Sequence, residues 1–267
     1  MAERFGGNNF FYMEYAIVIV PAAPVRRKAR HQNEMVSQLL FGEIVEVQKI
    51  KRGFWIKVRS LHDDYEGWIT RNLLETIDEQ QAKAVNEFVT TDLISTLSLN
   101  EKTMHVPVGA SLPGFENGKG KSGSHSYSFD GNYLKRYGQQ PNAGMVNKLT
   151  MPWLNAPYMW GGRTPLGVDC SGFVQVNYKM MGIDLPRDAW QQAQRGKPVK
   201  KLSEAQTGDL VFFDDKDEIV HVGIMLNNDQ IIHASGKVRI DSIDKKGIIN
   251  LDTGKRTHRL EAIRRLW

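Results

Sequence analysis

The stretch YMWGGRTPLGVDCSGFVQVNYKMMGID, residues Tyr158 to Asp184, holds Cys170, the one cysteine among 267 residues. Gly161, Gly162, Pro165 and Gly167 break its first half and predict a loop. Asp169 is placed to cap a helix, the run from Cys170 to Met181 carries apolar residues near helical spacing, and Gly182 ends it. The sulfur therefore falls in a first helical turn. Unpaired backbone N–H groups and the positive end of the helix dipole there favour thiolate, the nucleophilic form of cysteine. A lone cysteine is equally a small buried apolar residue, and position alone leaves both readings open.

Two histidines downstream bear on that choice. His221 follows DLVFFDDKDEIV and His233 sits in QIIHAS. The segments VGIML and QIIHA have strand character, and NNDQ between them reads as a tight turn, so they predict a hairpin. His221 at the start of one strand and His233 near the end of its partner would be cross-strand neighbours. A cysteine that hydrolyses an amide needs a base for its proton, and that imidazole needs a third polar group to fix its ring. Taken singly, each histidine is also readable as a hydrogen-bonded structural residue.

The motifs PYMWGG, GVDCSGFVQ, GIDLPRDA, TGDLVFF, HVGIML and IIHAS occur in that order. Together they resemble the NlpC-type (NlpC/p60 superfamily) cysteine peptidases, thiol proteases that cut bacterial cell-wall peptides, over residues 143–267. The resemblance implies Cys170 as nucleophile, His221 as general base and His233 as the residue that orients it. It also implies Tyr158 and the backbone N–H of Cys170 as oxyanion donors, a role whose loss typically costs a few kcal/mol of barrier.

Composition sets the outer bounds. An apolar content of 41% and a charged content of 24% describe an ordinary globular chain, long enough for two or three domains. The net charge of +5 is spread among interleaved acids and bases, with no basic stripe for nucleic acid. One cysteine excludes an intramolecular disulfide, and no cluster has zinc spacing, so neither metal nor cofactor is expected. The apolar run AIVIV is too short to span a bilayer and follows Glu3 and Glu14, so it reads as a first strand. No signal peptide is recognised, which makes the cytoplasm the expected compartment and the periplasm or export the alternative. A monomer is expected.

Between Tyr15 and Ile77, YAIVIV, MVSQLLFGEIVEVQKI, FWIKVRS and EGWITRNLLET read as short strands broken by glycine and the acidic turn HDDYEG. SQLLFGEIVEV and YEGWITRNLL resemble bacterial SH3-like domains, giving an expected barrel over residues 1–78. Residues 79–142 are expected to hold a degenerate second SH3-like barrel and a linker. Within them EQQAKAVNEFVTTDLI begins as linker, MHVPVGASLPGF reads as strand and turn, and the Gly- and Ser-rich GFENGKGKSGSHSYSFDGNY reads as a long loop. His31, His62, His105, His125 and His258 show no partner pattern and are read as ordinary polar residues.

In relatives with a substrate-gating barrel the resemblance implies a γ-D-glutamyl-L-diamino-acid endopeptidase that requires a free amino-terminal L-Ala. Holding an ammonium in a closed pocket requires a carboxylate, because an unpaired buried charge costs several kcal/mol. Asp188, eighteen positions after Cys170, matches the family's ammonium contact, and Tyr65 and Glu34 of the barrel resemble the other contacts. Asp169 and Ser171 match the family as substrate-side residues and are equally helix caps. Trp160 is divided between cleft wall and core. Ala189 and Ala234 depart from the pattern where polar groups stand in some relatives, which leaves fine specificity open.

The expected fold is therefore α+β: a papain-like domain of helices and antiparallel sheet behind one or two small SH3-like barrels. The expected activity is hydrolysis of the γ-D-Glu–diamino acid bond in L-Ala-γ-D-Glu-diamino acid, in recycling or turnover of murein peptides. The alternatives are a cell-wall hydrolase, an amidase or acyltransferase of the same fold, or an inactive wall-binding protein, against which intact Cys170, His221 and His233 argue.

Overall fold

The computed structural model describes residues 14–51, 54–84 and 87–267; Glu3 and the rest of the opening segment lie outside the described residues. Seven strands make the first unit: β1 (Tyr15–Val18), β2 (Ala22–Arg26), β3 (Met35–Leu40), β4 (Ile44–Lys51), β5 (Trp55–Ser60), β6 (Glu66–Thr70) and β7 (Leu74–Ile77). They form one sheet in the order β3-β2-β6-β5-β4-β1-β7. Alternation drives it: every second residue of β5 is buried, and Ile56 and Val58 meet Val25, Leu39, Val45 and Ile69 in a single apolar core. The segment MVSQLLFGEIVEVQKI, read as strand material broken by glycine, turns at Gly42. Its φ of +75° suits glycine, and a Cβ there would stand 2.3 Å from the Ser111 carbonyl oxygen. The turn is thus also where the next unit touches the barrel.

A short helix, α1 (Glu79–Lys83), is capped by Asp78 and Gln81. After it come β8 (Phe88–Thr90), β9 (Ile94–Leu99), β10 (Lys102–Pro107), β11 (Lys119–Ser122), β12 (His125–Phe129) and β13 (Tyr133–Lys135). These form a four-stranded sheet, β10-β9-β12-β11, and a separate β13-β8 ladder. The segment read as a long loop therefore contains the β11–β12 hairpin. Its glycines serve the hairpin: Gly118 and Gly123 take positive φ at its ends, and Gly120 lies under the Tyr127 ring, where a Cβ would clash. Tyr127 and Phe129 alternate inward with enough apolar area to outweigh the polar composition.

The C-terminal unit opens with α2 (Ala143–Thr150), the loop hairpin β14 (Arg163–Thr164) and β15 (Gly167–Val168), α3 (Cys170–Met180) and α4 (Ala189–Gln192). Then follow β16 (Lys197–Pro198), β17 (Leu210–Asp215), β18 (Glu218–Met225), β19 (Gln230–Ser235), β20 (Lys237–Asp244), β21 (Gly247–Ile249) and β22 (Arg256–Arg265). The order is β16-β22-β17-β18-β19-β20-β21, and β21 also pairs with β22, which closes six strands into a barrel. The architecture is α+β, with helices segregated from the antiparallel sheet.

Helix α3 is buried along its whole length. Its polar side chains therefore need partners, and Lys179 and Gln175 find them in the N-terminal units. Lys179 donates to Glu43 Oε1 at 2.8 Å, the Gly109 carbonyl at 2.9 Å and Ser111 Oγ at 3.1 Å, while Gln175 donates to Asp63 at 2.8 Å. Arg163, fully buried, clamps Glu43 with two hydrogen bonds of 2.8 and 2.9 Å and reaches the Gln38 carbonyl at 2.7 Å. One barrel carboxylate thus answers two buried cations, which fixes the barrel against the helix that begins at Cys170. Among the described residues no helix is long and apolar enough to cross a membrane.

Candidate active site

Three neighbouring strands carry a polar relay. His221 Nε2 lies 2.8 Å from His233 Nδ1, and His233 Nε2 lies 3.0 Å from Asp241 Oδ2. The residues directly opposite His233 are Gly223 on β18 and Arg239 on β20, so each functional partner sits two positions along on the same face. His221 is the fourth residue of β18 rather than its start, and it meets His233 on the diagonal. The strand begins earlier than expected because β17 and β18 continue pairing through Asp215↔Glu218. Gly223 makes the diagonal possible: a Cβ there would stand 2.9 Å from His233 Cβ and 2.6 Å from Ile231 Cδ1.

The relay fixes protons as well as rings. Asp241 also accepts from Arg239 Nε and its terminal nitrogen, each at 2.8 Å, and from Leu251 N at 2.9 Å. Burial raises its carboxyl, but the bonds from His233, Arg239 and Leu251 outweigh that and hold it at about 2. As a carboxylate it can only accept, so His233 Nε2 carries the proton, its Nδ1 accepts from His221 Nε2–H, and His221 Nδ1 is left with a free lone pair. Burial first, and then the neighbouring His233 and His258, keep His221 well below the ordinary 6.5, so it is a neutral base at neutral pH.

Cys170 opens α3, with Asp169 as N-cap accepting at Oδ1 from Gly172 N–H at 2.7 Å. It is only 6% exposed. Here the structure corrects the expectation that the helix end lowers the thiol. Burial, followed by the Asp169 carboxylate, pushes it up to about 12, against the N–H groups of Val222 and Ser171, which favour the thiolate. The resting pair is accordingly thiol and neutral imidazole. The bond with Val222 N–H places the sulfur beside the residue that follows His221. Tyr158 is also close: burial and then the charge of Cys170 raise its phenol, which stays protonated and able to donate.

The loop before the helix is held by glycine. Gly161, at φ +76°, has no room for a Cβ, which would stand 2.5 Å from the Met35 carbonyl oxygen of the barrel; one on Gly162 would stand 2.3 Å from that of Gly167. Gly161 N donates to Asp169 Oδ2 at 2.8 Å. Arg187 completes the clamp with bonds of 3.0 and 2.6 Å to the two Asp169 oxygens, 2.8 Å to Ser171 Oγ and 3.0 Å to Ser37 Oγ of the barrel. Asp169 and Ser171 are therefore engaged inside the protein, where they set the direction of the first turn of α3.

Barrel residues approach this region at two points. Tyr65 donates to Asp188, and the Trp190 indole does likewise. Burial raises the Asp188 carboxyl, the Arg187 charge opposes it, and among the described residues no salt bridge engages it. Burial and then Asp188 push the Tyr65 phenol up to about 12. Trp160, 60% exposed and so outside the core, donates its indole N–H to Glu34 at 2.8 Å. Glu34 is in turn paired with Arg27 at 2.6 Å.

Sequence reasoning missed three residues. Arg187 stands in the quoted LPRDA but gives no local sign that it is buried. Asp241 lies in KVRIDSI, where its inward position is visible only once the β19–β20 register is known. His258, read as an ordinary polar residue, instead stacks on His221 with ring centroids 4.3 Å apart. His62 likewise has a partner, Asp184 at 3.1 Å.

Residues 155–257 match the NlpC/P60 family, and residues 25–74 match the bacterial dipeptidyl-peptidase Sh3 domain. A γ-D-glutamyl-L-lysine dipeptidyl-peptidase of Bacillus subtilis (strain 168) is 30% identical over 220 residues, covering 76% of this chain and 73% of that protein. One so named from Bacillus cereus is 29% identical over 257 residues, 85% of this chain and 76% of the relative. The Escherichia coli (strain K12) murein DD-endopeptidase MepS/murein LD-carboxypeptidase is 44% identical over 84 residues, 31% of this chain and 44% of that protein. The crystal structure of an NlpC/P60 family protein from Bacillus cereus shares the fold, with a TM-score of 0.78 over 94% of this chain and 99% of that one at 24% identity.

Proposed function

The chain belongs to the NlpC/P60 family, and from that premise we propose that it is a cysteine peptidase that hydrolyses the γ-D-Glu–diamino acid bond of murein peptides with a free amino-terminal L-Ala. The observation that carries the finer reading is the Tyr65–Asp188 hydrogen bond. It brings a carboxylate that has neutral donors and, among the described residues, no salt-bridge partner to the seam between barrel and peptidase unit, near the helix that starts at Cys170. A substrate ammonium supplies the missing cation. A requirement for that ammonium would favour fragments with a free amino terminus over intact wall strands.

In the proposed reaction the thiol proton passes to His221 Nδ1 as Sγ attacks the γ-carbonyl carbon of D-Glu. The oxyanion accepts from the Cys170 backbone N–H, one of the first-turn donors without an intrahelical partner, and from Tyr158 O–H. His221, now an imidazolium braced by His233 and Asp241, protonates the leaving amine as the C–N bond breaks. Water, deprotonated by the same nitrogen, then attacks the thioester and releases the dipeptide acid and the thiol. Because thiol and imidazole both rest neutral, the ion pair forms only on the path to the transition state.

The deciding experiment compares L-Ala-γ-D-Glu-diamino acid with its N-acetylated form. The free amine is expected to be cleaved with kcat/KM at least about a hundredfold higher, the scale of one lost charge-assisted contact. Equal rates for the two would remove the ammonium pocket from the reading while leaving the peptidase chemistry in place.

A further inference from the structure

One imidazole is left over by the reaction just described. Strand β22 pairs with β17 on one side and β21 on the other, and its third residue, His258, stands opposite Ile248. Its ring lies nearly parallel to that of His221, with centroids 4.3 Å apart and planes 24° apart. The same ring is edge-on to His233 at 6.0 Å and 5.9 Å from Phe213, and its Nδ1 is 2.8 Å from Thr257 Oγ1. Phe213 also touches His221, tilted by 42° at 5.8 Å.

The hydrogen bond from Nε2 to His233 fixes one axis of the His221 ring and leaves it free to rock about that axis. A flat surface against the ring face removes the rocking. We propose that His258 is a positioning residue for the catalytic imidazole: its ring is the platform that sets the plane of His221, and so the direction of the Nδ1 lone pair offered to Cys170. This rests on the reading of Cys170 and His221 as nucleophile and base.

The platform is conditional because it is an imidazole. While neutral it offers a π face to the imidazolium that forms on His221; once protonated it opposes that charge at close range. The groups around it are His221 from β18, His233 from β19, Asp241 from β20, the uncharged Phe213 from β17 and the Thr257 hydroxyl on its own strand. The only carboxylate among them, Asp241, is already shared by His233 and Arg239. Burial and then His233 bring His258 down to about 4, with Asp241 opposing, so the platform is neutral at neutral pH and charges only in acid.

The test uses the full chain as wild type, His258→Phe and His258→Ala. It reads kcat and KM on the free-amine peptide and, independently of any substrate, the pH profile of Cys170 alkylation by iodoacetamide followed by mass spectrometry. His258→Phe, flat and unable to charge, is expected to keep kcat within about threefold and to retain activity further into acid. His258→Ala is expected to lose about tenfold in kcat with KM little changed and to show an altered alkylation profile. Wild-type kcat and alkylation in the Ala variant would overturn the inference, as would a Phe variant no better than Ala. If Ala fails to fold, His258→Leu gives an apolar side chain without a flat face, and equality of Phe and Leu is then the overturning result. Failure of the wild type to cleave the peptide, with alkylation still dependent on His258, would sink the substrate reading and leave this one standing.

Discussion

Asp241→Asn tests the relay at its far end. The carboxylate is 1% exposed and takes four bonds: Oδ2 serves His233 Nε2 and Arg239 Nε, and Oδ1 serves the second Arg239 nitrogen and Leu251 N. Asparagine keeps the shape, but half of its amide must donate. At Oδ1 its nitrogen would face two fixed donors, whereas at Oδ2 it faces one, Arg239 Nε, and an imidazole whose tautomer can invert, so it takes the place of Oδ2 and points N–H at His233 Nε2. His233 must then carry its proton on Nδ1, His221 must accept at Nε2, and His221 Nδ1 becomes protonated and useless as a base. An Asp→Asn change that inverts the tautomer of a catalytic imidazole costs about 10⁴ in kcat in a serine triad. Here the carboxylate is one ring further from the base, so we expect about a hundredfold, or about 2.7 kcal/mol of barrier.

Stability should fall as well. A carboxyl at about 2 rather than its ordinary 3.8 represents about 2 kcal/mol in favour of the folded state. Because the folded value is the lower one, that contribution is present above about pH 4 and is lost as the pH falls toward 2. The assays are kcat and KM at pH 7 and urea unfolding at pH 7 and pH 3. A variant with kcat within threefold of wild type would refute the assigned proton order, whatever its stability.

Four further outcomes are expected. Cys170→Ala should abolish hydrolysis while shifting stability by no more than about 2 kcal/mol, and turnover near wild type would remove the nucleophile. Gly223→Ala should push His233 off the diagonal, lowering kcat at least about tenfold and stability by about 1–3 kcal/mol; an unchanged kcat would show that the relay tolerates the Cβ. Tyr65→Phe removes the O–H donor to Asp188 and should raise KM for the free-amine peptide several-fold while sparing kcat, and equal KM values would separate the barrel from recognition. Glu43→Gln leaves Arg163 and Lys179 buried against a neutral amide, so unfolding should become easier by about 3–5 kcal/mol, and a loss below 1 would mean that the clamp does not hold the barrel.

Local chemistry was enough for several features of the site. The loop, N-cap and helix around Cys170 are dictated by glycine, aspartate and apolar spacing within a single stretch, and the β18–β19 hairpin follows from two apolar runs around a short polar turn. The barrel of the first unit is legible for the same reason, since alternation along a strand is a nearest-neighbour property. The β11–β12 hairpin was not, because its glycines and serines look like linker until Tyr127 and Phe129 find their core.

What only tertiary structure decided depends on register and burial. Whether Asp241 meets His233 turns on which residues of β19 and β20 face each other, and a slip of one position would send the carboxylate to the other side of the sheet. His258 reaches His221 only because β22 pairs with both β17 and β21, closing the barrel across a long separation in sequence. The resting state of Cys170 was set in the same way. A helix terminus lowers a thiol over one turn of backbone, but the removal of water by the surrounding elements raises it by more, and burial is not written in any single segment.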